Sequence, residues 1–216
     1  KITITLNADF SAPRNSSSLS DQEAAQRRFD FELGWFADPI YFGHYPHSMM
    51  ERVGDRLPKF TQQQLDQLSV SSTFFGLNHY TSRYVFNAQP SQLPDLPEGY
   101  YRDMGVITTT IALNGTSIGP VAGSDWLYSV PWGLGDLLLY IKEKYNNPEV
   151  AVTENGVDDP RENNLPISQA TDDQFRIDYL SSYIDSVGRA ITQGSRVSSY
   201  YVWSLLDNYE WGSFDQ

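Results

Sequence analysis

Three short stretches gather the side chains that could do chemistry. Glu154 follows the apolar run Val150-Ala-Val-Thr153 and precedes Asn155-Gly156. Asn78-His79-Tyr80 follows Phe74-Phe-Gly-Leu77, and Asp207-Asn-Tyr-Glu-Trp211 follows Tyr200-Tyr-Val-Trp-Ser204. A carboxylate that ends a buried strand is desolvated on one side and needs partners, and the Asn-Gly turn behind it leaves the side chain facing outward. Taken alone, such a glutamate serves equally as an ion-pair partner or a helix cap. The third stretch adds a different capability. Glu210 and Trp211, seven and eight residues after Trp203, pair a bidentate acceptor with flat aromatic rings. Ligands with polar rims and C–H faces need such a set. An isolated tryptophan pair reads as core filler; beside Glu210 it reads as a binding platform.

The strings also carry a family resemblance. Val152-Thr-Glu-Asn-Gly156 resembles the nucleophile motif of family 1 glycoside hydrolases, and Val202-Trp-Ser-Leu-Leu-Asp-Asn-Tyr-Glu-Trp211 is similar to that family's sugar-binding signature. Phe75-Gly-Leu-Asn-His-Tyr-Thr-Ser82 resembles the preceding barrel strand of the family, and Ile2-Thr-Ile-Thr-Leu-Asn7 an earlier one. Phe36-Ala-Asp-Pro-Ile-Tyr41, Arg56-Leu-Pro-Lys-Phe-Thr61 and Ser124-Asp-Trp-Leu-Tyr128 complete the pattern. A lone Thr-Glu-Asn-Gly is a weak signal. The whole set, in order and spread along the chain, is a strong one.

The resemblance implies an α/β fold, a (β/α)8 TIM barrel, of which residues 1–216 supply roughly strands five to eight with their helices. It implies a retaining β-glycosidase, β-glucosidase-like, working through a covalent glycosyl–Glu154 intermediate. Tyr80 resembles the tyrosine that orients the nucleophile, and Asn78 the asparagine of the same network. Glu210 resembles the acceptor for the sugar's outer hydroxyls, Trp203 the ring beneath the sugar, Trp211 an indole N–H donor, and Trp126 the aromatic wall of the aglycone site. The acid/base of this family is the Glu of an Asn-Glu-Pro motif, and no such tripeptide occurs in the sequence. The expectation is therefore that the N-terminal half of the barrel is absent, and the lack of the family's Arg-Phe-Gly segment after the Glu-Trp pair extends that expectation to the extreme C-terminus. Activity is then expected only once the N-terminal half, from the same or a separate chain, supplies the second carboxylate. The implied substrate is a β-glucoside or oligosaccharide, and no metal or organic cofactor is implied, because both half-reactions need only carboxylates and water. Two other readings stand beside this one: a noncatalytic carbohydrate-binding fragment, and a thioglucosidase-type relative with a changed acid/base position.

The elements that must position these residues are legible from pattern. Ile2–Leu6, Phe74–Asn78, Val150–Thr153 and Tyr200–Ser204 are apolar or β-branched and read as strands buried on both faces. Ser20-Asp-Gln-Glu23 has capping-box spacing and opens a predicted helix to about Ala37. Thr61 is placed to cap Gln62–Leu68, and Pro131 to sit in the first turn of a helix reaching about Tyr145. Asp172 or Asp173 opens a long helix whose Phe175, Tyr179, Tyr183 and Val187 share one face. Strand followed by helix, repeated four times, predicts a parallel sheet. Phe86–Gly123, rich in Pro, Gly and Thr, shows no period and reads as a long loop.

Composition narrows the partners. Of 216 residues 40% are hydrophobic and 14% aromatic, which suits a folded body, and the formal charge of -12 repels phosphates. Nucleic acid and anionic membrane are accordingly not expected. The sequence contains no cysteine, so disulfides and thiolate-bound metals do not arise. That composition slightly favours the cytoplasm and does not exclude secretion.

Overall fold

The computed structural model describes residues 1–161, 165–206 and 208–211. Asp207, part of the string quoted above, lies outside them. In chain order the elements begin with β1 (Thr5–Asn7), β2 (Phe10–Pro13), α1 (Leu19–Phe29), α2 (Trp35–Phe42), α3 (His47–Val53) and α4 (Gln62–Leu68). There follow β3 (Phe75–Asn78), β4 (Ser82–Asn87), α5 (Tyr100–Met104), β5 (Val106–Thr109) and α6 (Pro131–Lys144). The chain continues with β6 (Glu149–Asn155), α7 (Ile167–Ala170), α8 (Gln174–Thr192) and β7 (Arg196–Val202).

Four strands make the main sheet, in the order β1-β3-β6-β7, and every neighbouring pair is parallel. Parallel neighbours require crossover connections, and helices supply them between each pair. One face of the sheet is sealed. Leu6, Leu77 and Val152 point into a core with Leu134, Leu137, Leu138 and Ile141 of α6 and Tyr179, Tyr183 and Val187 of α8. The other face is open: Thr5 and Asn7 of β1 and Tyr201 of β7 are exposed. This is an α/β arrangement with the sidedness of part of a barrel. No helix among the described residues is long and apolar enough to cross a membrane.

Several elements differ from the sequence reading. The first helix is capped by Ser18, whose side chain accepts from the Asp21 amide, rather than by Ser20. It runs through a π-helical turn at Asp30–Gly34 into α2, which stops at Gly43 in the left-handed region (φ 75). The capping box of Thr61 with Gln64 and the helix begun by Pro131 form where expected. Asp173, not Asp172, caps α8 by accepting from the Arg176 amide. The larger correction concerns Phe86–Gly123. This stretch completes β4 and carries α5 and β5, which join β2 in a second sheet of order β2-β4-β5. That sheet packs on α1 and α3 through Ala24, Ala25, Met49, Val85 and Met104. Its strands are short, and β2 pairs with β4 about seventy positions away in sequence. Such pairing is set by tertiary packing, which local period does not report.

Candidate active site

The site begins where β3 and β6 stop being regular. Asn78 is in register with Glu154, and the pairing shifts at Leu77/Asn78 and again between Val152 and Asn155. Irregularities of this kind at strand ends re-aim side chains. The Thr153 hydroxyl donates to Asn78 Oδ1 at 2.6 Å, tying the two strand tips together. Beyond them, the Tyr80 hydroxyl donates to Glu154 Oε2 at 2.7 Å. Burial, followed by the hydrogen bond and charge of Glu154 and the charge of Glu210, pushes the Tyr80 hydroxyl far above its usual range. It therefore stays protonated, a fixed donor to the carboxylate.

Behind Glu154 the expected Asn-Gly turn does not form: Glu154 and Asn155 are the last residues of β6, and Gly156 lies in neither a turn nor the left-handed region. A Cβ on Gly156 would lie 1.8 Å from the Trp203 carbonyl oxygen, so only glycine allows β6 and β7 to approach there. Asn155 is fully buried: its Nδ2 donates to the His79 carbonyl at 2.7 Å, and its own carbonyl accepts from the Trp203 amide at 2.9 Å. His79 is also fully buried, with Nδ1 donating to the Ala8 carbonyl at 2.8 Å. Burial lowers its basicity, so it stays neutral and holds β1 to β3.

These groups border a cleft of about 1140 Å³ on the open side of the sheet. All seven residues singled out in the sequence line it: Asn78, Tyr80, Trp126, Glu154, Trp203, Glu210 and Trp211. Trp126 stands edge-on to Tyr80 with ring centroids 6.1 Å apart. The Trp203 Nε1–H donates to Glu210 Oε1 at 2.8 Å, so ring and acceptor form a joined unit. The tryptophans are exposed, at 50% for Trp126, 44% for Trp203 and 101% for Trp211.

The cleft holds groups that sequence reasoning passed over. Asp9 lies two residues past the end of β1 and reaches both the cleft and the buried Arg28, at 3.4 Å. Asp158 accepts from the Ser124 hydroxyl at 2.6 Å. Its nearness to Glu154 in sequence was the available signal. The ensemble can do one kind of chemistry well: an oriented carboxylate beside an acceptor–indole pair can attack carbon in a polyhydroxylated ligand.

The chain is similar to known proteins along nearly its whole length. The family described as glycosyl hydrolase family 1 matches residues 1–214. β-Glucosidase 42 of Arabidopsis thaliana is 42% identical over 98% of this chain, which spans 42% of that relative. The crystal structure of the β-glucosidase from Trichoderma harzianum superposes with a TM-score of 0.90 at 41% identity, covering 98% of this chain and 44% of that one. A GH1 β-glucosidase from Humicola insolens, solved in complex with glucose, gives 0.91 at 37% identity, covering 98% of this chain and 44% of that one.

Proposed function

The chain belongs to glycosyl hydrolase family 1, and from that premise we propose that it carries the nucleophile side of a retaining, β-glucosidase-type active site. The observation that carries this is the 2.7 Å bond from the Tyr80 hydroxyl to Glu154 Oε2 inside a cleft walled by tryptophan. Its four parallel strands then correspond to strands five to eight of an eight-stranded barrel, whose active site lies at the C-terminal ends of the strands.

In the first step a Glu154 oxygen bonds to the anomeric carbon as the bond to the aglycone oxygen breaks. A second carboxyl group protonates the leaving oxygen, then takes a proton from the water that releases the sugar. Asn78 and Tyr80 fix the nucleophile, and Glu210 accepts from the outer hydroxyls of the sugar. Trp203 covers the C–H face, Trp211 donates its indole N–H, and Trp126 lines the aglycone side. The second carboxylate, about 5–5.5 Å from the first in retaining enzymes, comes from the N-terminal half of the same barrel, in the same or a separate polypeptide. The open sheet face and the exposed Ile2 and Ile4 beside β1 support a partner there.

The test is a mechanism-based label. Full-length protein treated with a 2-deoxy-2-fluoro-β-glucoside, then digested and sequenced by mass spectrometry, is expected to carry the sugar on Glu154. Label on any other residue rejects the assignment.

A further inference from the structure

We propose that Tyr179 and Tyr183 of α8 are positioning residues whose two hydroxyls clamp the Tyr80 carbonyl and so aim the Tyr80 phenol at Glu154. The inference rests on Glu154 being the nucleophile. Both hydroxyls donate to that one carbonyl oxygen, each at 3.1 Å. A carbonyl has two lone pairs, and the two tyrosines fill both. Tyr80 lies past the end of β3, where the ladder no longer provides a partner for its backbone.

Each hydroxyl also accepts, which ties the clamp to other parts of the site. Tyr179 accepts from Asn155 Nδ2 at 3.0 Å, so it joins the residue after the nucleophile to the residue that orients it. Tyr183 accepts from the Val130 amide at 2.9 Å, at the start of α6. Asn155 cannot turn over, because its Oδ1 accepts from the Tyr200 hydroxyl. The two rings stack at 4.1 Å, and neither is more than 3% exposed. Core packing alone would be served by phenylalanine, which has nearly the same volume. What tyrosine adds is a hydroxyl, and both hydroxyls are spent on the chain that carries Tyr80. Burial also pushes the Tyr179 hydroxyl well above its usual range, so it remains a donor at any working pH.

The measurement is the rate constant for trapping by the fluoroglucoside in full-length protein, with thermal midpoints recorded alongside. Tyr179→Phe and Tyr183→Phe are each expected to slow trapping by roughly 3–10-fold, the size of one neutral hydrogen bond. Affinity for the reagent is expected to stay unchanged. In a Tyr80→Phe background both are expected to have no further effect on the rate, because the group they aim is gone. A merely structural role predicts the same loss in both backgrounds. Equal losses, or unchanged trapping in the Tyr80 protein, overturn the clamp. So does failure of both variants to fold, which assigns the hydroxyls to stability alone; if one variant fails, the other still reports on the same carbonyl. Failure of the underlying reading looks different: the parent protein itself then carries no label on Glu154.

Discussion

The two sides of the cleft are built to opposite standards. The Glu154 side consists of strand tips held by Asn155, His79 and the Tyr80 carbonyl, all bonded within this chain. The Trp203–Trp211 side carries its rings in the open, with Leu205 at 93% and Leu206 at 77% exposure between them. Glu154, the nucleophile of the proposed function, sits among residues bonded at several points by the fold, whereas the rings proposed to bind the ligand are exposed. A reacting atom misplaced by a fraction of an ångström loses rate, so rigidity belongs on its side. A ring that slides under a ligand loses less.

Substitutions can break or sharpen this contrast. The largest effect is expected from Tyr80→Phe, which removes one hydrogen bond to a charged group and, at about 1.5–3 kcal/mol, slows turnover of the full-length protein roughly 10–100-fold. A steady-state assay with an aryl β-glucoside reads it, and an unchanged rate removes Tyr80 from the braced side. Next is Gly156→Ala. The new methyl meets the Trp203 carbonyl at 1.8 Å, and relieving the overlap costs about 1–3 kcal/mol by the usual scale of overpacking. Denaturant unfolding measures it, and an unaltered midpoint means the strands approach less closely than described. The smallest change in stability is expected from Trp211→Ala. A fully exposed ring contributes within about 0.5 kcal/mol to folding, so its loss is expected to weaken glucose binding by calorimetry while leaving the midpoint in place. A large drop in stability would make Trp211 part of the braced side.

The same contrast governs what could be read from the sequence. Thr153-Glu154-Asn155-Gly156 was legible as a carboxylate motif behind an apolar strand, but its parts were not: the expected turn is absent, Asn155 ends β6 as a buried amide, and Gly156 is needed for the close approach of Trp203. The capping residue Thr61 was legible because a cap satisfies amides within three residues, and the same rule narrowed the start of α8 to Asp172 or Asp173 without choosing between them. The sheet of β2, β4 and β5 was not, because its pairings join distant short segments. Tyr179 and Tyr183 illustrate the limit within a single helix. Their spacing marked a buried face, and nothing in that spacing distinguished rings that only fill space from rings whose hydroxyls are aimed. Asp9 was missed likewise, being visible only once β1 had been placed beside β3.

The bond between the Trp203 indole and Glu210 bears on selectivity. Under the proposed function, one oxygen of the acceptor is already engaged by the indole when a sugar binds, so an incoming hydroxyl meets a carboxylate that is partly satisfied. A sugar whose outer hydroxyl points the wrong way then forfeits one contact without stranding a wholly unpaired charge. Discrimination between epimers built on such an acceptor comes out graded, a matter of preference among related sugars and not a closed gate.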